Sequence, residues 1–342
     1  MVRRAIKKRI RKGFRKFART HSGSLFQTFR TDTKGVKHMN QHICPGKKAP
    51  LSPPPAAARR SGAVREALMN FVFFLSALVS IAAVVVICIF MFMNGIPAMA
   101  QIGIGKFLGG SVWKPTEGVF GIFPMIVGSV YVTAGALAVG VPLALLCAVF
   151  LARFCPPRLY RIFKPMTELL AGIPSIVYGF FGLTVIVPLM QRITGTSGKG
   201  ILTASVLLGI MILPTVIGVA ESAIRAVPDS YYEGALALGA TKEQSVFFAT
   251  LPAARSGLFA GVILGIGRAI GETMAVIMIA GNQAVLPERI TDGVRTLTAN
   301  IVIEMAYADF GLHRGALIAT AVVLFVFILI INLSFSLLRK KV

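Results

Sequence analysis

Six stretches of this chain stay apolar long enough to cross a bilayer: 68–93, 120–151, 167–190, 201–224, 256–282 and 315–338. A spanning helix needs about 20 mainly apolar residues, so the pattern predicts an all-α, polytopic membrane protein with six transmembrane helices. Asn94, Gly95, Ile96 and Pro97 are expected to end the first span. A loop over 94–119 comes next, and its Trp113 suits a membrane interface. Pro142 is expected to kink the second span, and Pro214 lies inside the fourth. Gly172, Pro174, Gly179, Gly182 and Pro188 interrupt the third. Polar loops are expected at 191–200 and 283–314.

The fifth span departs from this pattern. It carries Arg268 and Glu272 well inside an apolar run, where a charge costs about 2.5–3.5 kcal/mol on insertion scales. Their i, i+4 spacing puts both on one helical face, close enough to neutralise each other in part. Two glycine stripes share the segment, Gly257, Gly261 and Gly265 on one and Gly267 and Gly271 on the other. Such stripes let helices approach closely in lipid. Two readings are open: a tightly packed helix with an internal ion pair, or a helix lining a polar path with Arg268 facing an anion.

Between the fourth and fifth spans, 229–252 is polar but holds Tyr231, Tyr232, Leu236, Phe247 and Phe248. Ser230 with Glu233, and Thr241 with Gln244, have capping-box spacing. Gly239 is a natural stop between two short helices, and Pro252 is expected to close the second. The exposed apolar content suits a docking element for a partner, or packing against the chain's own bundle.

Charge adds topology. Residues 1–66 hold 18 Lys and Arg against Asp32 and Glu66. They read as a basic, largely disordered tail, with Ile6, Ile10, Phe14 and Phe17 on one face of an amphipathic helix suited to anionic lipid; residues 67–342 form the transmembrane domain. Even without the tail, basic residues favour the side that holds both termini and 229–252, which the positive-inside rule makes cytoplasmic. The tail accounts for most of the net charge, so no nucleic-acid-binding fold is implied. Glu168 and Glu221 read as span-end residues near the interface. Glu304, Asp309, His313 and Arg314 gather at the opposite end of span six. Cys44, Cys88, Cys147 and Cys155 lack metal-site spacing, and no metal or cofactor is expected.

Glu233, Gly234, Ala235, Gly239, Leu251 and Pro252 resemble the E-A-A-x3-G-x9-I-x-L-P signature of ATP-binding-cassette importer permeases. Gly234 stands for the second-position alanine and Ala249 for the isoleucine. FGIFPMIVGSVYVT from Phe120, ELLAGIPSIVYGFFGL from Glu168, ILGIGRAIGETMAVIMIAGN from Ile263 and EMAYADFGLHRGAL from Glu304 narrow the likeness. Together they resemble the bacterial phosphate-specific transport permeases, the PstC-type subunit, from about residue 66 onward. The resemblance implies a transport subunit of the inner membrane and not an enzyme. It would work with a second permease (PstA-type), an ATPase dimer (PstB-type) and a periplasmic phosphate-binding protein (PstS-type). It makes 229–252 a coupling segment for the ATPase, and it puts Arg268 and Glu272 on the phosphate path. The chain has no G-x-x-x-x-G-K-[ST] loop, so ATP use falls to a partner. Other readings stay open: an importer of sulfate, molybdate or phosphonate, a membrane scaffold or sensor, and a proton-coupled secondary transporter.

Overall fold

The computed structural model describes residues 56–341, with side chains from 65 to 337. The basic amphipathic segment around Ile6 to Phe17 lies outside the described residues. In chain order the helices are α1 (Ala56–Ile102), α2 (Ile104–Gly109), α3 (Phe123–Val149) and α4 (Pro157–Gly172). Next come α5 (Ser175–Phe181), α6 (Val187–Thr194), α7 (Ile201–Arg225) and α8 (Asp229–Ala237). The last five are α9 (Lys242–Ser245), α10 (Leu251–Gly271), α11 (Met274–Ile279), α12 (Leu297–Met305) and α13 (Leu312–Lys341). A two-strand hairpin, β1 (Trp113–Lys114) with β2 (Val119–Phe120), separates α2 from α3.

Six of these helical runs are long and apolar enough to cross a membrane: Arg65–Ile102, Phe123–Phe154, Ser175–Thr194, Ile201–Arg225, Lys242–Gly271 and Leu312–Leu337. Three contain a π turn, at Phe150–Phe154, Gly182–Ile186 and Val246–Thr250. A π turn adds one residue without breaking the rod. The chain divides into two units, one ending at Ser76 and one starting at Ala77. The second contains every candidate site residue.

Three apolar clusters hold this second unit together. The first packs the middle of α7 against α3, α5, α6 and α11, with Leu207, Met211, Tyr178 and Ile279 among its members. The second joins the end of α3 to the end of α7 and the start of α10 through Leu151, Ile224 and Ala254. The third joins the hairpin, α12 and the start of α13 through Trp113, Phe120, Leu297 and Leu317.

Several expectations are corrected. The first helix begins at Ala56, inside the segment read as the tail. It does not stop at 94–97; it continues through Pro97 to Ile102. Gly95 lies so close to α13 that a Cβ there would come 2.8 Å from Val322 Cγ2, and Gly315 presses on Ala98 in the same way. This packing overrides the local stop signal. The third span starts at Ser175 and not at 167: Ile173 and Pro174 take extended conformations, as a residue before proline prefers, and cut off α4 as a separate helix. Trp113 is buried in the third cluster and is not an interface residue. The segment 283–314 contains α12, whose first turn is buried.

Candidate functional site

The fifth span is not one helix. It runs as α9, a π turn and α10 to Gly271, breaks at Glu272 and Thr273, and resumes as α11. Glu272 is extended, at φ −70° and ψ 128°. Thus the i, i+4 geometry that would bring Arg268 and Glu272 together is interrupted one residue before it closes, and no ion pair joins them among the described residues. The Glu272 carboxylate instead accepts from the Ala275 N–H at 3.3 Å, capping α11. Its main-chain carbonyl accepts from Thr298 Oγ1 at 3.2 Å. A backbone group freed inside an apolar bundle requires such a partner.

Arg268 is left with little. Nη1 reaches Thr215 Oγ1 of α7 at 3.5 Å. Nε is buried and has no hydrogen-bond partner among the described residues. Thr215 lies about 21 Å from one end of α7 and about 15 Å from the other at ~1.5 Å per residue, so the guanidinium sits near the middle of the neighbouring span. Tyr178 of α5, close enough to feel the Arg268 charge, spends its hydroxyl on the Leu170 carbonyl at 2.8 Å.

The two glycine stripes behave differently. A Cβ at Gly265 would come 2.7 Å from Val216 Cγ2, one at Gly261 would come 3.3 Å from the Val216 carbonyl, and one at Gly257 would collide with Ala223. This stripe is where α10 lies on α7. A Cβ at Gly267 or Gly271 would meet nothing within 4 Å among the described residues, so that face of α10 is open beside Arg268.

In the segment 229–252, Gly239 adopts φ +84°. Its N–H bonds to Leu236 O and the Ala240 N–H bonds to Ala235 O, the paired bonds of a Schellman stop. Thr241 and Gln244 form the expected capping box. Ser230 does not cap: Pro228 occupies the N-cap and makes no side-chain bond. Pro252 does not end the second helix, which runs on through the π turn into α10. Proline breaks the regular bonding pattern, and the wider turn just before it takes up that mismatch. Glu233 is exposed, Gly234, Ala235 and Leu251 are half-buried, and Pro252 is exposed. Tyr232 and Leu251 pack on the second cluster, while Tyr231, Leu238, Phe247 and Phe248 stay exposed. Arg153 ties the segment down through Asp229 at 2.8 Å and the Ile224 and Val227 carbonyls.

Glu221 is not an interface residue: it is 2% exposed. It accepts from Tyr160 Oη at 2.8 Å, Lys164 Nζ at 3.1 Å and Arg225 Nε at 2.8 Å. Arg225 also bonds Leu151 O and stacks over the Tyr160 ring. The bond to Glu221, with burial added, raises the Tyr160 phenol above its ordinary range. Burial pulls the Lys164 ammonium down, but its bonds to Glu221 more than offset this, and it too sits high. Elsewhere, Arg295 pairs with Glu304 at 2.8 Å, and His313 Nε2 lies 3.5 Å from the other Glu304 oxygen without hydrogen-bond alignment.

Thr215, Thr298 and the Glu221 cluster were not singled out from sequence. A hydroxyl directly after Pro214 in an apolar span was the available signal for Thr215; Thr298 had none.

Residues 140–342 match the family described as the binding-protein-dependent transport system inner membrane component. The chain is 38% identical over 276 residues to the probable ABC transporter permease protein YqgH of Bacillus subtilis, covering 78% of this chain and 89% of that one. It is 34% identical to the phosphate transport system permease protein PstC of Mesorhizobium japonicum, covering 70% of this chain and 79% of that one. A bacterial alginate ABC transporter, crystallised with an alginate-bound periplasmic protein, matches in fold alone: TM-score 0.57, 15% identity, 81% of this chain and 96% of that chain. The chain belongs to the binding-protein-dependent transport inner-membrane family and is a multi-pass permease component. The likeness to PstC-type permeases read from its motifs is borne out.

Proposed function

We propose that this chain is the PstC-type permease subunit of an ATP-driven phosphate importer, with Arg268 on the phosphate path. The carrying observation is a half-buried guanidinium at mid-span that has, among the described residues, an unpartnered Nε, one long bond to a neutral hydroxyl and no carboxylate against it. A cation kept in an apolar bundle without a counter-charge suits a transient anion. Arginine's planar fork fits phosphate oxygens, and the open glycine face at Gly267 and Gly271 leaves room beside it. Glu272 contributes to this path by fixing the helix break. The same geometry would serve sulfate, molybdate or phosphonate; similarity to relatives named for phosphate transport supports phosphate.

In this reading a PstA-type permease completes the pore, and a PstS-type protein delivers phosphate. A PstB-type ATPase dimer engages the Asp229–Ala237 helix and the exposed Tyr231, Leu238, Phe247 and Phe248 beside the signature residues. Both termini and this coupling segment face the cytoplasm, as the basic flanks favour.

The test is ATP-driven uptake of labelled phosphate in vesicles, comparing wild type, Arg268→Ala and Arg268→Lys at equal assembled complex. Loss in both variants, with sulfate never carried, is the expected result. Normal uptake by Arg268→Ala would remove Arg268 from the path.

A further inference from the structure

Hydroxyls on apolar helices often donate to the carbonyl one turn back, which satisfies them without outside help. Some hydroxyls of this chain do so, while the buried Ser205 donates across to the Val132 carbonyl and the buried Ser129 is seen only accepting, from the Leu297 N–H. Thr184, Thr194, Ser222, Thr320 and Ser334 each donate to the carbonyl four residues earlier, at 2.7–2.9 Å. Thr215 does not. Its only hydrogen bond among the described residues is the one it accepts from Arg268 Nη1, so its own O–H has no acceptor. Thr215 also sits on α7 directly after Pro214, near mid-span and on the side that meets α10.

We propose that Thr215 is a second anion-binding residue: it accepts from Arg268 and donates its hydroxyl proton to the same oxyanion. Arg268 supplies charge and a planar pair of donors, and Thr215 adds a directed neutral donor from a different helix. Two donors on two helices fix the orientation of a small tetrahedral anion where one alone would let it rotate. They achieve this without a second positive charge, which would hold the anion too tightly to release. The inference rests on the phosphate-path reading of Arg268 and extends it to α7.

The discriminating variants are Thr215→Val and Thr215→Ser. Valine keeps the branched shape and loses the hydroxyl; serine keeps the hydroxyl and loses the branch. Phosphate uptake and ATP hydrolysis are measured in proteoliposomes holding the whole importer with its binding protein, at matched assembled complex. A hydrogen bond to a charged group implies a fall of about ten-fold or more in uptake rate for valine. Serine should stay within about two-fold of wild type by the same reasoning. A packing role predicts the reverse order, because a β-branched replacement preserves the contact. Normal uptake by Thr215→Val, or failure of Thr215→Ser alongside it, overturns the proposal. Arg268→Ala in the same preparation separates the two levels. If it abolishes uptake while Thr215→Val transports normally, only the Thr215 assignment falls. If Arg268→Ala transports normally, the path itself lies elsewhere.

Discussion

Two charges in this protein sit deep between helices and live under opposite conditions. Glu221 has three donors converging on one buried carboxylate. Arg268 has, among the described residues, a single long bond and an orphaned Nε. Both are expensive to take from water. Glu221 is compensated on the spot, so it ties α4, α7 and the end of α3 into one joint. Arg268 is not compensated, and its unspent hydrogen-bonding capacity is what a passing anion can use. A saturated charge makes structure, and an unsaturated one makes a site.

The sharpest way to break this contrast is Glu221→Ala. It strips the counter-charge from Lys164 and Arg225 and should destabilise by about 3 kcal/mol, the low end for a broken buried pair because both cations can reach water. Melting of the detergent-purified complex reads the loss; an unchanged midpoint would make the joint ornamental. Arg268→Ala should do the reverse. Melting should hold or rise, because an uncompensated charge is removed, while phosphate uptake falls about a hundred-fold, the worth of two charge-assisted hydrogen bonds. Parallel losses of stability and uptake would put the two charges in one class.

The glycine stripes offer a milder version of the same contrast. Gly257→Ala drives a methyl into Ala223 and should cost about 1–3 kcal/mol of overpacking, whereas Gly267→Ala meets open space and should leave melting unchanged or slightly higher through better helix propensity. Equal effects on melting would mean that the two faces of α10 do not differ. The smallest effect concerns pH. Tyr160 and Lys164 both hold their protons more tightly in the folded chain. Their contribution is therefore complete below about pH 10 and fades as pH climbs through their raised values. The melting midpoint should drop over that alkaline range in wild type and drop less in Tyr160→Phe.

Much of the scaffold was legible beforehand, for a physical reason. Six apolar runs have few alternatives to six helices, and the Gly239 stop and the Thr241 box are local signals that local geometry obeys. The misses came where distant packing decided. Pro97 and Pro252 look like helix ends, but contact with α13 in one case and a π turn in the other carry the helix past them. The break at Glu272 was hidden by its own side chain: a charge at i+4 from Arg268 invites the reading of an intact helix with an ion pair. In the folded chain that carboxylate is the cap that keeps the break open. Thr215 could not be tied to Arg268 because 53 positions separate them along the chain.

The run from Lys242 to Gly271 has a mechanical consequence. Thirty residues of continuous helix make a rod of about 45 Å, half as long again as the ~30 Å hydrocarbon layer. One end abuts the Gly239 elbow and the other carries Arg268. A tilt of only ~5° about the midpoint of a rod that long moves its two ends by about 2 Å in opposite directions. That displacement is enough to make or undo a 3.5 Å contact such as the one between Arg268 and Thr215. A push at one end of this lever is therefore felt as a change of grip at the other, with no change of fold between them.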